Sequence, residues 1–311
     1  MVEALKDAGF CIPRAVTLKY KSKDGWFVPG QDHFAITLWL VGSKHLGRSA
    51  FLRLFGRRVF QRLWTAVLEV AIRALGYENS ASLTVSGEEW FIEKNLYLKH
   101  GTVLDIGASN GAYTRLVLKH TSSDVICFEP LEEEIPSLEA IRELSEGRVE
   151  VVQCALGDEN DERPIYRNKT QPELSSLLPE IDRLDYFTPE DCFQELVTVR
   201  SLDSFWESTR GWNQSHEIAL VKIDVEGHEL AVLRGAARFL DQFQPHFIQI
   251  ETNRHGLFSK TSLFQISQLL TGYSCHQILP YRAGLIRRDP ASSLANHYRF
   301  GNFVFVRDAE H

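Results

Sequence analysis

Four ionisable side chains lie within six residues around Gly227: Asp224, Glu226, His228 and Glu229. They follow directly on an apolar, strand-like run, where a cluster of merely solvated surface charges is not expected. Three carboxylates beside one imidazole should stabilise the imidazolium and raise the pKa of His228. Such a histidine suits the removal of a proton from a hydroxyl group by general base catalysis.

The same cluster also contains the side-chain types that bind metal ions. Two acids and a histidine are known ligands of divalent metals, but this spacing specifies no particular coordination geometry. We therefore rank a general base above a metal site and predict no metal. In this interpretation His228 is the base, and Asp224 and Glu226 orient the acceptor or the imidazole.

A second candidate site is a glycine turn at residues 103–111. An apolar run ends in Asp105, Gly107 and Gly111 follow, and a helix-like segment begins at Ala112. Glycine has no Cβ, so such a turn lets a ligand approach the backbone at the start of a helix. The spacing differs from G-x-G-x-x-G, and it suits a single nucleoside with a short tail better than a pyrophosphate bridge. Glu129 lies 18 residues beyond Gly111, about where a ribose-binding acid is expected.

Alternating strand and helix patterns position these residues. Apolar strand-like segments occur at 103–106, 125–128, 149–154, 219–223, 247–250, 273–279 and 303–306. Helix-like segments occur at 112–119, 138–144, 229–240 and 262–270. The alternation predicts an α/β domain whose mainly parallel sheet is covered by helices on both faces. Ligands of such sheets bind beyond the carboxyl ends of the strands, where the acids of both candidate sites fall.

Two segments lie outside this alternation. Residues 1–85 are predicted to form a mostly helical extension, because 51–75 carries apolar residues at helical spacing and ends before Gly76. Charged helix faces such as the one formed by its arginines are usually just solvated. We therefore favour a helix that packs on the main domain or on a second copy over one that binds a membrane or an anion. Residues 156–217 are too long for a simple crossover and are predicted to be an insertion within the domain 86–311.

Composition narrows the class of partner and the compartment. Residues 1–100 hold 14 basic and 9 acidic side chains, whereas residues 101–311 hold 20 and 32. This acidic majority argues against nucleic acid as an obligatory partner. The five cysteines are odd in number and include no C-x-x-C pair, which fits a reducing cytoplasm. No apolar run approaches the roughly 18 residues of a membrane span, and no signal-peptide pattern is expected.

Together these motifs resemble the FkbM-type family of S-adenosylmethionine-dependent methyltransferases. The similar segments are 103–114, 128–130, 155–158, 175–177, 201–205 and 221–229, with a further similarity at 86–92. The most specific of them is Lys-Ile-Asp-Val-Glu-Gly-His-Glu at 222–229. The first motif has Ala108-Ser-Asn-Gly111 where the family often has Ala-Asn-Ile-Gly, which is a mild departure.

The resemblance implies a class I methyltransferase fold, a Rossmann-like sheet of about seven strands whose last strand is antiparallel. It implies methyl transfer from S-adenosyl-L-methionine, usually to a hydroxyl of a sugar, a lipid-linked glycan or a secondary metabolite. The glycine turn would hold the methionine part, Glu129 the ribose, and Asp158 would lie near the adenine. The expected cofactor contacts are Asp105, Gly107, Ala108, Ser109, Asn110, Gly111, Tyr113, Glu129, Pro130, Asp158 and Asp224. The expected acceptor contacts are Ser175, Ser176, Glu251 and Asn253.

Two other functions are compatible with the sequence. A nicotinamide-dependent oxidoreductase would share the fold and the ribose-binding acid. A non-catalytic interaction protein would use the basic helix within 51–75 as its working surface, but the intact glycine and acid pattern argues against it. The favoured prediction is a cytoplasmic O-methyltransferase with a small-molecule or glycan acceptor, for which a homodimer is one option.

Overall fold

The chain divides into two compact units, residues 1–75 and 76–311. Residues 76–85, which the sequence assigned to the extension, belong to the second unit. The computed structural model describes residues 20–22, 25–27, 53, 55–78, 82–96, 101–168, 174–184, 189–212 and 216–308.

In the first unit the described residues form a short hairpin and a helix. Strand β1 (Tyr20–Ser22) pairs antiparallel with β2 (Gly25–Phe27). A 3-10 turn, Arg58–Phe60, leads into helix α1 (Gln61–Ala74). Residues 53 and 55 are helical as well, and a bend at 56–57 separates them from the 3-10 turn and α1, so the helix predicted over 51–75 is interrupted within the described residues. It ends where predicted, because Gly76 adopts a φ of +93° that does not continue a helix.

The second unit is built on strands that continue the numbering along the chain. They are β3 (Thr102–Ile106), β4 (Asp124–Phe128), β5 (Val149–Val152), β6 (Ala155–Leu156), β7 (Asp161–Asn168), β8 (Cys192–Arg200), β9 (Ile218–Ile223), β10 (Phe247–Thr252), β11 (Tyr273–Ile278), β12 (Leu285–Arg287) and β13 (Gly301–Arg307). Eight of them form one sheet in the order β12-β11-β13-β10-β9-β3-β4-β5. The five strands from β10 to β5 are parallel, whereas β13 runs antiparallel to both neighbours. The predicted α/β fold with a reversed last strand is confirmed, and the short edge strand β12 raises the count to eight.

Helices flank these strands. They are α2 (Leu83–Ser86), α3 (Glu88–Phe91) with a following π-helical turn (Ile92–Leu96), α4 (Ala112–His120), α5 (Ile135–Leu144), α6 (Leu202–Thr209), α7 (Glu229–Arg234), α8 (Ala237–Phe243), α9 (His255–Ser259) and α10 (Leu263–Leu269). The single helix predicted over 229–240 is wrong, since it is divided at Gly235. A Cβ on Gly235 would lie 1.9 Å from the carbonyl oxygen of Gly157, and the Gly235 carbonyl accepts the Asp203 N–H at 2.9 Å.

The core explains why the central strands read as continuous apolar runs. All six residues of β9 are buried, as expected of a parallel strand covered on both faces. Val103, Val117, Leu138 and Leu220 belong to one buried cluster that joins β3, β9 and the helices beside them. This packing fixes the carboxyl ends of β3 and β9 side by side.

The insertion contains a second, three-stranded sheet in the order β6-β8-β7. Strands β7 and β8 pair antiparallel, from Asp161 opposite Val199 to Asn168 opposite Cys192. Their inner faces bury Ile165, Val197 and Val199 against Leu131 and Ala155. The insertion therefore has its own small core next to the end of β4.

The order of the strands creates a crevice. From β3 the chain continues to β4 and β5 on one side, and β9 and β10 then lie on the other. Loops leaving β3 and β9 diverge at this point, which is where open α/β sheets bind ligands. Among the described helices none is both long and apolar enough to cross a membrane.

Candidate active site

A cavity of about 640 Å³ opens at the carboxyl ends of β3, β4, β9 and β10. This volume lies within the range of roughly 300–1,000 Å³ that small-molecule sites occupy. Its wall takes residues from each strand end, among them Gly107, Glu129, Asp224 and Glu251, and from the insertion it takes Ile165 and Ser175. The two candidate sites of the sequence thus face one cavity.

The glycine turn forms one wall. Gly107 has a φ of +80° and Gly111 one of +78°, and between them Ser109 has a φ of +45°. A Cβ on Gly111 would lie 2.3 Å from Ile141 Cδ1, so the turn packs directly on α5. Gly107 and Ser109 line the cavity. The other predicted contacts of the turn, Ala108, Asn110 and Gly111, are not on its wall.

Glu129 is held at the cavity by two backbone N–H groups. Ser109 donates to Oε2 at 2.8 Å and Leu131 donates to Oε1 at 3.0 Å. The side chain is buried, and burial raises its pKa to about 7 although the two hydrogen bonds favour the carboxylate. Pro130 lines the cavity beside it, with the apolar residues Phe128, Leu131, Leu156 and Ile165.

Three other predicted cofactor contacts do not reach the cavity wall. Asp105 is fully buried behind it, and its Oδ2 accepts the Thr114 hydroxyl at 2.6 Å. Tyr113 is buried too and donates to Gln249 Oε1 at 2.7 Å. Asp158 is exposed and pairs with Arg163 at 3.5 Å. The buried Asp105 and Tyr113 therefore support the fold around the site, whereas Asp158 lies at the surface. Spacing in the sequence does not reveal which strand-end side chains turn inward.

The opposite wall carries a cluster of acids. One oxygen each from Asp224, Glu226 and Glu251 lies within 4.8 Å of the others, a spacing at which carboxylates can share a cation. Burial raises the pKa of Glu251 well above its usual value, and the negative charges of Asp224 and Glu226 raise it further. This cluster concentrates negative charge at the end of β9 and β10.

Two charged residues of this wall were not predicted. Lys222 donates to Asp224 Oδ2 at 2.9 Å and lies 4.0 Å from Asp105 Oδ1. Burial lowers its pKa, but the negative charges of Asp224, Asp105 and Glu88 outweigh burial and raise the pKa overall. Glu88 accepts the Gln249 amide at 2.7 Å, and burial raises its pKa. Both belong to segments that resemble the FkbM-type family, 222–229 and 86–92, which is the signal that would have found them.

His228 is not part of the cavity wall. Its ring lies beside the insertion, where a Cβ on Gly157 would be 3.1 Å from Nε2. Burial and the positive charge of Arg163 lower the pKa of His228 to about 4, so the predicted rise is wrong. Glu226 and Gly227 both have left-handed backbone conformations, with φ of +49° and +100°. This turn separates His228 from the carboxylates that are its neighbours in the sequence.

His255, which the sequence did not single out, does line the cavity. Its Nδ1 lies 2.7 Å from Glu226 Oε2. Asn253 donates from Nδ2 to the same oxygen at 2.5 Å, and its Oδ1 accepts the His255 backbone N–H at 2.9 Å. The only hint in the sequence was its place, two residues after the predicted acceptor contact Asn253.

The two predicted serines have different positions. Ser175 lines the cavity. Ser176 is buried, donates to the Glu226 carbonyl at 2.6 Å and accepts the Leu178 N–H at 3.1 Å. Ser176 thus holds the turn that carries Glu226 and does not line the cavity.

The strand order, the reversed β13 and the cavity at the switch point define a Rossmann-like fold of the class I methyltransferase type. The sequence profile of the methyltransferase FkbM domain matches residues 105–277, more than half of the chain. The chain therefore belongs to the FkbM methyltransferase family, and its cofactor is S-adenosyl-L-methionine. No curated protein matches it significantly.

Several solved methyltransferase structures are similar in fold at low identity. A precorrin-6y C5,15-methyltransferase from Geobacter metallireducens is 11% identical, with a TM-score of 0.39 over 75% of this chain and 93% of that one. An rRNA methylase from Streptococcus thermophilus is 9% identical, with a TM-score of 0.41 over 74% and 99%. A ribosomal protein L11 methylase from Lactobacillus delbrueckii subsp. bulgaricus is 14% identical, with a TM-score of 0.36 over 74% and 81%. Such distant likenesses add nothing on the substrate.

Proposed function

We propose that this protein transfers a methyl group to a hydroxyl of a sugar, a glycan or a secondary metabolite. The observation that carries the proposal is the single cavity that joins Glu129 at one end to the acids and His255 at the other. The cofactor supplies an activated methyl group on a sulfonium, so the protein mainly has to align donor and acceptor and to accept a proton.

The residues near β3 and β4 suit the cofactor. Both oxygens of Glu129 keep a free lone pair after accepting one N–H each, and a ribose diol can donate to both. The apolar side chains beyond it, including Phe128 and Leu156, offer surfaces for a planar base. We propose that Gly107 and Ser109 lie against the amino-acid tail of the cofactor. The acids near Asp224 favour the positive charge of the sulfonium.

The residues near β9 and β10 suit a hydroxyl acceptor. Carboxylates accept hydrogen bonds from hydroxyl groups, and Asp224, Glu226, Glu251 and Glu88 all line this end of the cavity. The negative charges of Asp224 and Glu226 at this end also repel phosphate groups. A polyhydroxylated small molecule or glycan is therefore a better acceptor than a nucleic acid backbone, with Ser175 and Asn253 as further polar contacts.

Three finer predictions concern the setting of the reaction. Residues 1–75 form a separate unit and are proposed to take part in acceptor choice or in dimerisation. A cytoplasmic location is supported by the free thiols of the buried Cys127, Cys154 and Cys275. Size-exclusion chromatography with light scattering tests the dimer directly.

The test of the proposed function has two steps. Calorimetry with S-adenosylhomocysteine and with NAD checks the nucleotide preference, and tight binding of NAD alone would overturn the proposal. Labelled S-adenosylmethionine is then incubated with the protein, a panel of methyl glycosides and an extract of the source cells. The expected product is heavier by about 14 Da, the mass of an added CH₂, and periodate or acetylation chemistry locates the methyl group. A methyl group on nitrogen or carbon would contradict O-methylation.

A further inference from the structure

The hydrogen-bond neighbours of the buried His255 determine which of its ring nitrogens carries a proton. Two atoms lie within hydrogen-bond distance of its Nδ1, Glu226 Oε2 at 2.7 Å and Asn253 Oδ1 at 3.0 Å. The orientation of the Asn253 amide is set by the His255 backbone N–H, which donates to Oδ1, and by Glu226, which accepts from Nδ2. Both neighbours of Nδ1 are therefore acceptors, so Nδ1 carries a proton.

A proton on Nδ1 leaves Nε2 of the neutral ring with a lone pair. Only 1% of the His255 side chain is exposed, and Nε2 has no hydrogen-bond partner among the described residues. Buried polar atoms normally find a partner, and His255 is part of the cavity wall, so a donor that enters the cavity would satisfy Nε2. A hydroxyl group of a bound acceptor is a donor of the required kind.

The surrounding chain holds this pair in place. Glu226 has a left-handed φ of +49°, and its carbonyl accepts the Ser176 hydroxyl at 2.6 Å. A Cβ on Gly227 would lie 2.8 Å from His255 Cβ and 2.5 Å from Leu178 Cδ1. The turn after β9 therefore needs glycine at 227 to bring Glu226 and His255 together. Strained backbone of this kind is concentrated at functional sites.

We propose that His255 is the general base of the methyl transfer and that Glu226 orients its ring. This proposal rests on the proposed O-methylation. The acceptor oxygen forms a bond to the methyl carbon while its proton passes to Nε2 of His255. The bond between sulfur and that carbon breaks, and its electron pair stays on sulfur. The products are a methyl ether, a neutral thioether and an imidazolium, which Glu226 stabilises and which later releases its proton to water.

His228 provides a matched control for this proposal. Its Nε2 also lacks a partner among the described residues, but His228 is not part of the cavity wall. The sequence alone pointed to His228, whereas the geometry points to His255. The variants His255→Gln and His228→Gln therefore distinguish the two assignments.

The first measurement needs no acceptor. In ¹⁵N-correlated NMR of the imidazole rings of the full chain at pH 8, wild-type His255 should show the Nδ1–H tautomer. Glu226→Gln replaces the charged acceptor by a neutral one and leaves Asn253 Oδ1 in place, so it should weaken this preference without reversing it. If His255 instead carries its proton on Nε2, that nitrogen has no lone pair with which to accept a proton from a hydroxyl group. The proposal is then overturned, whatever the acceptor.

The second measurement uses methyl transfer to the best acceptor found above. For His255→Gln we expect turnover to fall by about 10²- to 10⁴-fold, with S-adenosylhomocysteine affinity within about twofold of wild type. His228→Gln should keep at least about a third of wild-type turnover. Added imidazole should restore part of the turnover of His255→Ala, which a purely structural role of His255 does not predict. A turnover of His255→Gln equal to that of the wild type would refute the role of His255 as the base. If the wild-type protein methylates only nitrogen or carbon atoms, the proposed O-methylation is refuted, and the role of His255 with it.

Discussion

A Cβ on Gly107 would lie 1.8 Å from the carbonyl oxygen of Asp224. The turn after β3 therefore presses directly on the backbone at the end of β9. The Asp224 N–H also donates to the Ile106 carbonyl at 3.0 Å, so a backbone hydrogen bond joins the two strand ends next to this contact. The proposed cofactor wall and the acid cluster are thus two sides of one backbone junction.

The variant Gly107→Ala tests this junction. Its φ of +80° alone costs about 1–2 kcal/mol for a residue with a Cβ, and the contact with Asp224 forces the backbone apart in addition. We expect a larger loss of unfolding free energy than the φ cost, together with a clear loss of S-adenosylhomocysteine affinity. Urea denaturation and calorimetry measure the two effects.

Gly147→Ala is the matched control. Gly147 has a φ of +85°, but no atom lies within 4 Å of the position of its Cβ. Its substitution should therefore show the φ cost alone and leave ligand affinity unchanged. Equal stability losses in the two variants would mean that the contact between Gly107 and Asp224 is unimportant.

Glu129→Gln tests the proposed ribose contact. The amide group retains the size of the side chain but places an NH₂ against the N–H of either Ser109 or Leu131. It also replaces a charged acceptor, whose hydrogen bonds are worth about 1.5–3 kcal/mol each. Affinity for S-adenosylhomocysteine should fall by about 10- to 100-fold in calorimetry. Glu132→Gln, at an exposed position nearby, should bind like wild type; unchanged affinity in Glu129→Gln would argue for another ribose partner.

The sheet was predictable because each parallel strand is buried on both faces and therefore reads as an apolar run. Edge and tertiary details were not. Strand β12 has one half-buried residue followed by two exposed ones, so the sequence shows no apolar run or alternation from which to predict it. The division between α7 and α8 depends on the contact of Gly235 with Gly157, two positions far apart in the chain.

The candidate site was predictable in position but only partly in its members. Strand-end acids such as Glu129 and Asp224 were found because carboxyl ends of parallel strands converge. The sequence could not show whether His228 or His255 lies beside Glu226, because this depends on the left-handed turn at Glu226 and Gly227. A one-dimensional cluster of charges suggested a histidine beside its carboxylates, whereas the turn pairs Glu226 with a histidine 29 positions further on.

Glu229→Gln tests the pH dependence of stability. Glu229 is buried, accepts the Gly227 N–H at 2.8 Å, and burial raises its pKa to about 7 from 4.5. A raised pKa means that the folded state holds the proton more tightly than the unfolded state. The resulting stabilisation is complete below about pH 4.5 and is lost as the pH rises through about 7.

The glutamine variant does not titrate, so its stability relative to wild type should improve from pH 5 to pH 8. Because pH 5 already lies above the unfolded-state pKa, the improvement should be about 2.5 kcal/mol, from 1.36 kcal/mol per pKa unit. Urea denaturation at the two pH values measures it, with Glu143→Gln at an exposed position as the control. A difference that does not change with pH would show that Glu229 is ionised in the folded state throughout.

Lys222→Met tests the charge balance at the centre of the site. The ammonium lies 2.9 Å from Asp224 Oδ2 and 4.0 Å from Asp105 Oδ1. Burial raises the pKa values of the Asp105 and Glu88 carboxyls, and the positive charge of Lys222 opposes this rise. Removing one partner of a buried ion pair typically costs 3–5 kcal/mol, so we expect about that loss at pH 8.

The loss should be smaller at pH 5. Without Lys222 the pKa values of Asp105 and Glu88 rise further, and acids with raised folded-state pKa values contribute stability that is present at low pH and lost on the way up. Lys119→Met removes an exposed ammonium that pairs with Glu89 at 2.8 Å, and it should cost less than about 1 kcal/mol at either pH. If Lys222→Met were as mild as this control, Lys222 would not be neutralising the acids, and the negative charge around Asp224 would have to be balanced by protonation of those acids alone.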